Sequence, residues 1–336
     1  MKLDNNQLKR LDPAGEITEW PPPPDLHWPT VPNRRSPANR GWTRRAVLGT
    51  VAAGATALAG GLVVAQVAGP TGPALAATPP PLQLQYDTNA PVARDALLKL
   101  ASAIQSQSPG TEQGSGRFSF VQVGQWSLDM SSSEKEGTVV AVAPQVISTW
   151  RASDGSGKVV TVSLDRLAVD DRPDAHALMT AAAQAGGESQ TFGPGELAAV
   201  VDGAIPQDVD GLAAALYAHQ PREKGGQSAV RAVADLYRTT SVDRQTRITA
   251  LKFLASTNGV LLRGEVTDRL GRSGLAVSVD STDGSTRDLL VFDQSSGWLL
   301  AYESMLLKKP AKLPVKAPAV FSYLLYLEQG RRPGMA

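Results

Sequence analysis

The sequence predicts an α+β fold, a curved antiparallel sheet with several helices, held outside a membrane behind one apolar segment. Three observations predict it. Apolar residues recur at helical spacing across Asp210 to Ser256, they alternate in short runs across Val260 to Leu307, and Ala46 to Ala68 runs 23 residues without a charge.

Residues 1–45 contain Pro21 to Pro24 in a row, then Pro29, Pro32 and Pro37, which remove backbone donors and oppose helix formation. This stretch is expected to be a disordered cytoplasmic tail. Leu11, Trp20, Leu26 and Trp28 are scattered through it, either as a short docking motif for a cytoplasmic partner or as chance apolar residues. The next 23 residues, at about 1.5 Å each, reach roughly 35 Å, enough for a hydrocarbon core. Their flanks set the orientation. Arg34, Arg35, Arg40, Arg44 and Arg45 precede the segment and no Lys or Arg follows until Arg94, so the N-terminus is placed in the cytoplasm. Thr43-Arg44-Arg45-Ala46-Val47-Leu48 resembles a twin-arginine export signal, and Ala74-Leu75-Ala76 has the small-x-small pattern of a signal-peptidase site. Retention as a single-pass membrane protein is expected, with secretion after cleavage near Ala76 as the alternative. Residues 69–81 read as a semi-stiff Pro/Gly linker and residues 82–336 as the external domain.

Within that domain, Val92, Ala96, Leu97, Leu100, Ala101 and Ile104 predict a first helix ending at Ser108-Pro109-Gly110. Phe118 to Leu128 alternates like a strand. Thr138 to Trp150 and Lys158 to Val169 are further β-rich runs joined by the turn Asp154-Gly155-Ser156-Gly157. Three helices are predicted over Asp210 to His219, Ser228 to Thr239 and Arg244 to Ser256. Asn258-Gly259 stops the last of them. Four strands then follow, Val260 to Asp268, Gly274 to Asp280, Arg287 to Asp293 and Trp298 to Leu307, with Asp283-Gly284 and Ser296-Gly297 as turns, giving a four-stranded meander. Leu275, Val277 and Val279 are expected on the core face together with Leu289 and Val291, with Ser278 on the opposite face. No element is assigned beyond Leu307.

Composition narrows the chemistry. Residues 1–45 carry eight Lys/Arg against five Asp/Glu, and no long basic run occurs in the external domain, so no nucleic-acid partner is expected. The absence of cysteine rules out disulfides, thiolate metal sites and cysteine nucleophiles. Of three histidines, His27 falls in the tail, and His176 and His219 have no partner at metal-ligand spacing. Asp165, Asp170, Asp171 and Asp174 read as a solvated acidic loop rather than a Ca²⁺ loop. No nucleophile elbow, Walker loop or dinucleotide fingerprint is present. Trp126, Trp150 and Trp298 are expected in the core. No catalytic residue, cofactor or metal is assigned.

Three stretches together resemble an uncharacterised actinobacterial family of single-span membrane proteins, whose genes often lie beside extracytoplasmic-function sigma factors. They are Trp150 through Asp154, Gly155, Ser156 and Gly157; Ile205-Pro206-Gln207-Asp208 followed by Leu212 to Tyr217; and Asn258-Gly259-Val260 through Gly264, Asp268, Gly271, Arg272, Val277 and Leu290-Val291-Phe292-Asp293. Where the family has Leu-Pro-Thr-Asp, this chain has Ile205-Pro206-Gln207-Asp208. The resemblance supplies no activity and no catalytic residues, and implies a cytoplasmic tail, one span and an external domain. The expected function is therefore a non-enzymatic, membrane-anchored envelope protein, a sensor or regulator linked to a sigma factor. The alternatives are an exported carrier of an apolar ligand in a concave sheet and an exported hydrolase.

Overall fold

The computed structural model describes residues 78–107, 114–133, 137–142, 144–164, 180, 183, 186–309 and 315–335, all within one compact unit, Gly60–Ala336. The tail, the Ala46–Ala68 segment with Arg44 and Arg45, the Ala76 site, His27, His176 and the acids Asp165 to Asp174 lie outside the described residues. Among the described residues no helix is long and apolar enough to cross a membrane.

The elements are α1 (Arg94–Ser106), β1 (Phe118–Ser133), β2 (Gly137–Val142), β3 (Gln145–Arg151), β4 (Gly157–Ser163), β5 (Glu188–Phe192), α2 (Val209–His219), a 3₁₀ turn (Arg222–Lys224), α3 (Gly226–Thr239), α4 (Arg244–Ser256), β6 (Leu261–Thr267), β7 (Ser273–Asp280), β8 (Thr286–Phe292), β9 (Leu299–Leu306) and β10 (Ala319–Arg332). The strands form an antiparallel sheet in the order β5-β4-β3-β1-β10-β9-β8-β7-β6, with β2 paired to the outer end of β1. Bulges at Gln122/Val123, Leu262/Gly264, Val291/Phe292 and Val320/Ser322 bend its strands.

The helices start and stop for local reasons. The Asp208 and Asp243 side chains accept hydrogen bonds from the amides of Gly211 (2.8 Å) and Thr246 (2.7 Å), capping α2 and α4. Arg244, at the start of α4, caps the far end of α1, donating to the Ile104, Gln105 and Gln107 carbonyls. Leu97, Leu100, Ala101 and Ile104 on α1 join Leu236, Tyr237, Leu251 and Leu254 in one core, which the sheet closes with Val277, Val279, Leu290, Phe292, Tyr302 and Leu324.

The predicted meander is present, with β6 to β9 at nearly the expected bounds. Its assignment of faces needs correction. Val277 lies opposite Leu290, so Leu290 and Phe292, not Leu289 and Val291, share the helix side with Val277. Leu289 and Val291 belong to a second cluster with Trp126, Ala276, Leu300, Tyr323 and Leu325 on the other face. Both faces of β8 and β9 are therefore covered, and the strands read as nearly unbroken apolar runs in which alternation cannot tell one buried face from the other. Ser278, expected on the less costly face, is also fully buried and accepts a hydrogen bond from Arg263 Nε at 2.7 Å.

The Thr138 to Trp150 run divides into β2 and β3, both in line along β1, because Pro144 between them has no N–H for the ladder. β5 and β10 were not anticipated. β10 is central, joining β1 to β9, and so connects the two halves of the sheet.

Candidate binding groove

The residues just before α1 form a strap across the sheet face opposite the helices. Pro79 is already buried, so ordered packing begins inside the stretch read as linker. Leu82 and Leu84 pack against the second apolar cluster. Three arginines hold the strap from the sheet. Arg269 donates to the Pro80 carbonyl at 3.0 Å, Arg263 to the Tyr86 and Asp87 carbonyls at 2.9 and 2.7 Å, and Arg287 to the Asp87 carboxylate at 3.3 Å. Guanidinium suits this task because one planar fork serves several acceptors at fixed angles. Past the strap, the Leu262 amide bonds the Pro91 carbonyl and the Ala93 amide bonds the Val260 carbonyl, covering the β6 edge.

Beneath the strap, charged groups are buried in pairs. Arg269 meets Glu303 at 2.7 Å over the ring of Tyr323, which stacks on Trp126 at 5.7 Å. Burial pushes the Glu303 carboxyl above its ordinary range, opposed by Arg269, and raises the Tyr323 hydroxyl to about 12. Between the strap and the ends of β8, β9 and β10 opens a groove of about 530 Å³. Its walls are Pro81, Leu82 and Leu84 on one side and Met305, Leu307 and Pro318 on the other, with Asp87 and Arg287 paired at one end. This is a mainly apolar cleft with one charged end, of a size in the range of small-ligand sites.

The structure gives each motif residue a place. Trp150 packs on Phe120 at 4.8 Å. Asp154 accepts hydrogen bonds from the amide and hydroxyl of Ser156, which together with Arg117 at 3.3 Å hold its carboxyl below the ordinary range. Gly157 lies against the Trp150 carbonyl, where a Cβ would come within 2.0 Å, and Gly155 meets the 193–197 loop. Gly259 ends α4 at φ +81°. Asp268 closes the β6–β7 turn by accepting from the Leu270 and Arg272 amides, and Gly271 turns there at φ +80°. Arg272 pairs with Asp268 at 2.6 Å and donates onward to the Leu300 and Tyr326 carbonyls. Phe292 is in the helix-side core, and Asp293 ties the β8–β9 turn to Ser295 and Ser296. These residues build turns at separate places and do not converge on one site. Gly264, next to Arg263, lies against the strap: at φ +85°, its position leaves room for Gln85, whose Cβ would lie 2.6 Å from an added methyl.

That close approach makes a prediction. Gly264→Ala is expected to destabilise by about 1–3 kcal/mol, from the left-handed backbone and the clash together. It should also free the strap, so that limited proteolysis cuts within residues 78–88 before the core is lost; a variant cut no faster there than wild type would overturn this.

Away from the groove, His219 is partly buried and its Nε2 lies 3.0 Å from Asp235, which also accepts from Gln220 at 2.9 Å. Burial works to raise the Asp235 carboxyl, but the hydrogen bond from His219 and the charge of Arg238 hold it below the ordinary 3.8. A carboxyl depressed on folding stabilises the fold above its unfolded value and loses that contribution as pH falls through the folded one. The melting-temperature gap between wild type and Asp235→Asn is therefore expected to be full at neutral pH and to shrink below about pH 4. A constant gap would overturn the assignment. Trp298, expected in the core, is only partly buried and packs against its edge, with the Arg247 guanidinium 4.1 Å over its ring.

No protein-family model and no curated protein matches the chain. Three solved structures show limited similarity. The crystal structure of MucB in complex with MucA(peri) is 14% identical, covering 72% of this chain and 57% of that one, with a TM-score of 0.26. An outer membrane lipoprotein-sorting protein domain from Vibrio parahaemolyticus is 10% identical over 72% and 95% of the two chains, TM-score 0.23. A DUF1329 family protein from Desulfovibrio piger ATCC 29098 is 8% identical over 73% and 95%, TM-score 0.23. This chain thus spans little more than half of the MucB chain, and at such TM-scores the functional reading rests on the chain's own geometry.

Proposed function

We propose that this protein is a membrane-anchored envelope protein whose external domain senses or regulates on behalf of a cytoplasmic partner, in the setting of an extracytoplasmic-function sigma factor. The strap is the observation that carries the reading. A domain hung on a slack linker is mechanically uncoupled from its anchor. Here only residues 69–77 separate the apolar segment from the first described residue, and the chain is then clamped to the sheet by Arg263, Arg269 and Arg287. A change in the sheet face at the groove would alter the strap, and the strap leads directly to the tether.

The test is transcriptional. A chromosomal deletion should change expression of the adjacent sigma factor's targets several-fold, and only the full chain, not one lacking residues 1–40, should restore it. Unchanged expression on deletion sinks the regulatory reading. The carrier reading has the groove in its favour, lined by Leu82, Leu84, Met305 and Leu307. It predicts that an apolar fluorescent dye binds there and is lost in Leu84→Arg; between helices and sheet, the interior is filled by Tyr237, Leu251, Leu290 and Tyr302.

A further inference from the structure

The strand order runs from β5 to β6, and the two ends are finished differently. At β6 the chain covers its own edge: the Leu262 amide bonds the Pro91 carbonyl, the Ala93 amide bonds the Val260 carbonyl, and Val92 bridges to Leu261. At β5 the inner side is laddered to β4, from Gly157 opposite Phe192 to Thr161 opposite Glu188. Among the described residues no strand and no backbone hydrogen bond lies on its outer side. Glu188, Ser189, Gln190 and Thr191 are all exposed, so the outer edge is open to water.

That edge is held in place. The Gly195 and Leu197 amides donate to the Asp154 and Gly155 carbonyls, and the Gly193 amide to the Glu196 carboxylate, which fastens the exit from β5 to the β3–β4 turn. A strand fixed on one side presents a row of unpaired donors and acceptors on the other. Open edges are ordinarily blunted by Lys, Pro or a bulge, and Glu188-Ser189-Gln190-Thr191-Phe192 has none of these. Gly187 before it and Gly193 after it carry no side chain to obstruct a neighbour.

The residues of the edge decide what fits there. Antiparallel pairing with an identical strand, about a two-fold axis through Gln190, sets Ser189 opposite Thr191, Glu188 opposite Phe192 and Gln190 opposite itself. Hydroxyl then meets hydroxyl and amide meets amide, both favourable cross-strand pairs, and the single charge never faces its own copy. Parallel pairing in register would instead stack Glu188 on Glu188 and leave no closed symmetry.

We infer that the β5 edge pairs antiparallel with β5 of a second copy of this chain, continuing the sheet across a two-fold axis at Gln190. The inference goes beyond the regulatory reading and does not depend on it. A five-residue edge buries less than the roughly 1,200 Å² of a standard interface, so the pair is a reversible dimer that forms as concentration rises.

The chain contains no cysteine, which makes the register directly readable. Opposed Cα atoms in an antiparallel pair lie about 4.5–5.5 Å apart, within the span of a disulfide. The full-length chain carrying Gln190→Cys, in mild detergent at about 100 µM with a gentle oxidant, should form a disulfide dimer linked 190 to 190. Glu188→Cys, whose two copies would stand about 14 Å apart along the strands, should not. Sedimentation equilibrium of the cysteine-free chain should show monomer and dimer, with the dissociation constant raised at least about fivefold by Gln190→Lys, which sets two lysines face to face. The melting temperature of that variant should be unchanged, because the position is exposed. Mixing Gln190→Lys copies with differently tagged Gln190→Glu copies should restore pairing. A chain that stays monomeric overturns the inference, and so does a dimer that Gln190→Lys leaves intact. Linkage of Gln190→Cys in cells to a different chain, without the 190–190 product, assigns the edge to another partner and overturns self-pairing.

Discussion

Val277→Asp is expected to leave little folded domain at room temperature. Val277 is fully buried on the helix side of β7, opposite Leu290 and within the core formed with α3 and α4. A carboxylate there has no cation to meet, and the lost apolar contact adds to its desolvation, so the cost is about 4 kcal/mol or more. That is a large share of the roughly 5–15 kcal/mol by which domains are stable. Ser278→Asp is the informative control. Its side chain points to the other buried face and meets Arg263, whose guanidinium also lies 3.8 Å from Asp280. A new carboxylate there would be crowded but paired, and is expected to cost about 1–3 kcal/mol. The smaller loss comes from a waiting charge and not from solvent. Equal shifts in thermal melts would show that the two faces are not distinguished as described.

Asp288→Ala should be the most damaging change to a polar residue. Asp288 is fully buried between β8 and α3, and four donors converge on its carboxylate. Tyr302 and Ser304 hydroxyls reach Oδ1 at 2.9 and 2.7 Å, while Gln227 and Arg231 reach Oδ2 at 2.9 and 2.8 Å. Burial and the neighbouring carboxylate push the Tyr302 hydroxyl far up, keeping it protonated as a donor, while burial works to lower Arg231 but the charges and hydrogen bonds of Asp288 and Tyr302 together raise it. Removing the carboxylate strands all four groups at about 3–5 kcal/mol. Asp288→Asn, which keeps the shape, should cost less. Replacing both charges together, Asp288→Leu with Arg231→Met, should recover part of the loss, because a buried pair is worth less than its single deletions suggest. Urea unfolding of the three variants checks this, and a loss below about 1 kcal/mol for Asp288→Ala would mean that water reaches the site.

The α1 to α4 helices and the β6–β9 meander were legible because their signals are local. Leu97, Leu100, Ala101 and Ile104 repeat at helical spacing, Asp208 and Asp243 are capping residues, and Asp283-Gly284 and Ser296-Gly297 are turn dipeptides read within a few residues. β10 escaped because Val320 to Leu327 is an almost continuous apolar run without alternation, and its pairing with Phe118 to Ser127 joins segments about two hundred residues apart. The faces of β7 and β8 were misassigned for a related reason: alternation marks a face only when the other face is polar, and here both are covered.

The groove had no sequence signal at all. Its two walls, Pro81, Leu82 and Leu84 on one side and Met305, Leu307 and Pro318 on the other, stand more than two hundred residues apart, and nothing in either predicts the other. The same holds for Asp288 with Arg231 and for the arginines that hold the strap. By itself the sequence determined helix and strand periodicity, the turns, the charge asymmetry and the apolar segment, each a property of neighbours along the chain. Which faces became buried, which charges paired and where a cleft opened were decided only by the tertiary structure, because desolvation and pairing depend on what the register of distant strands brings within a few ångströms.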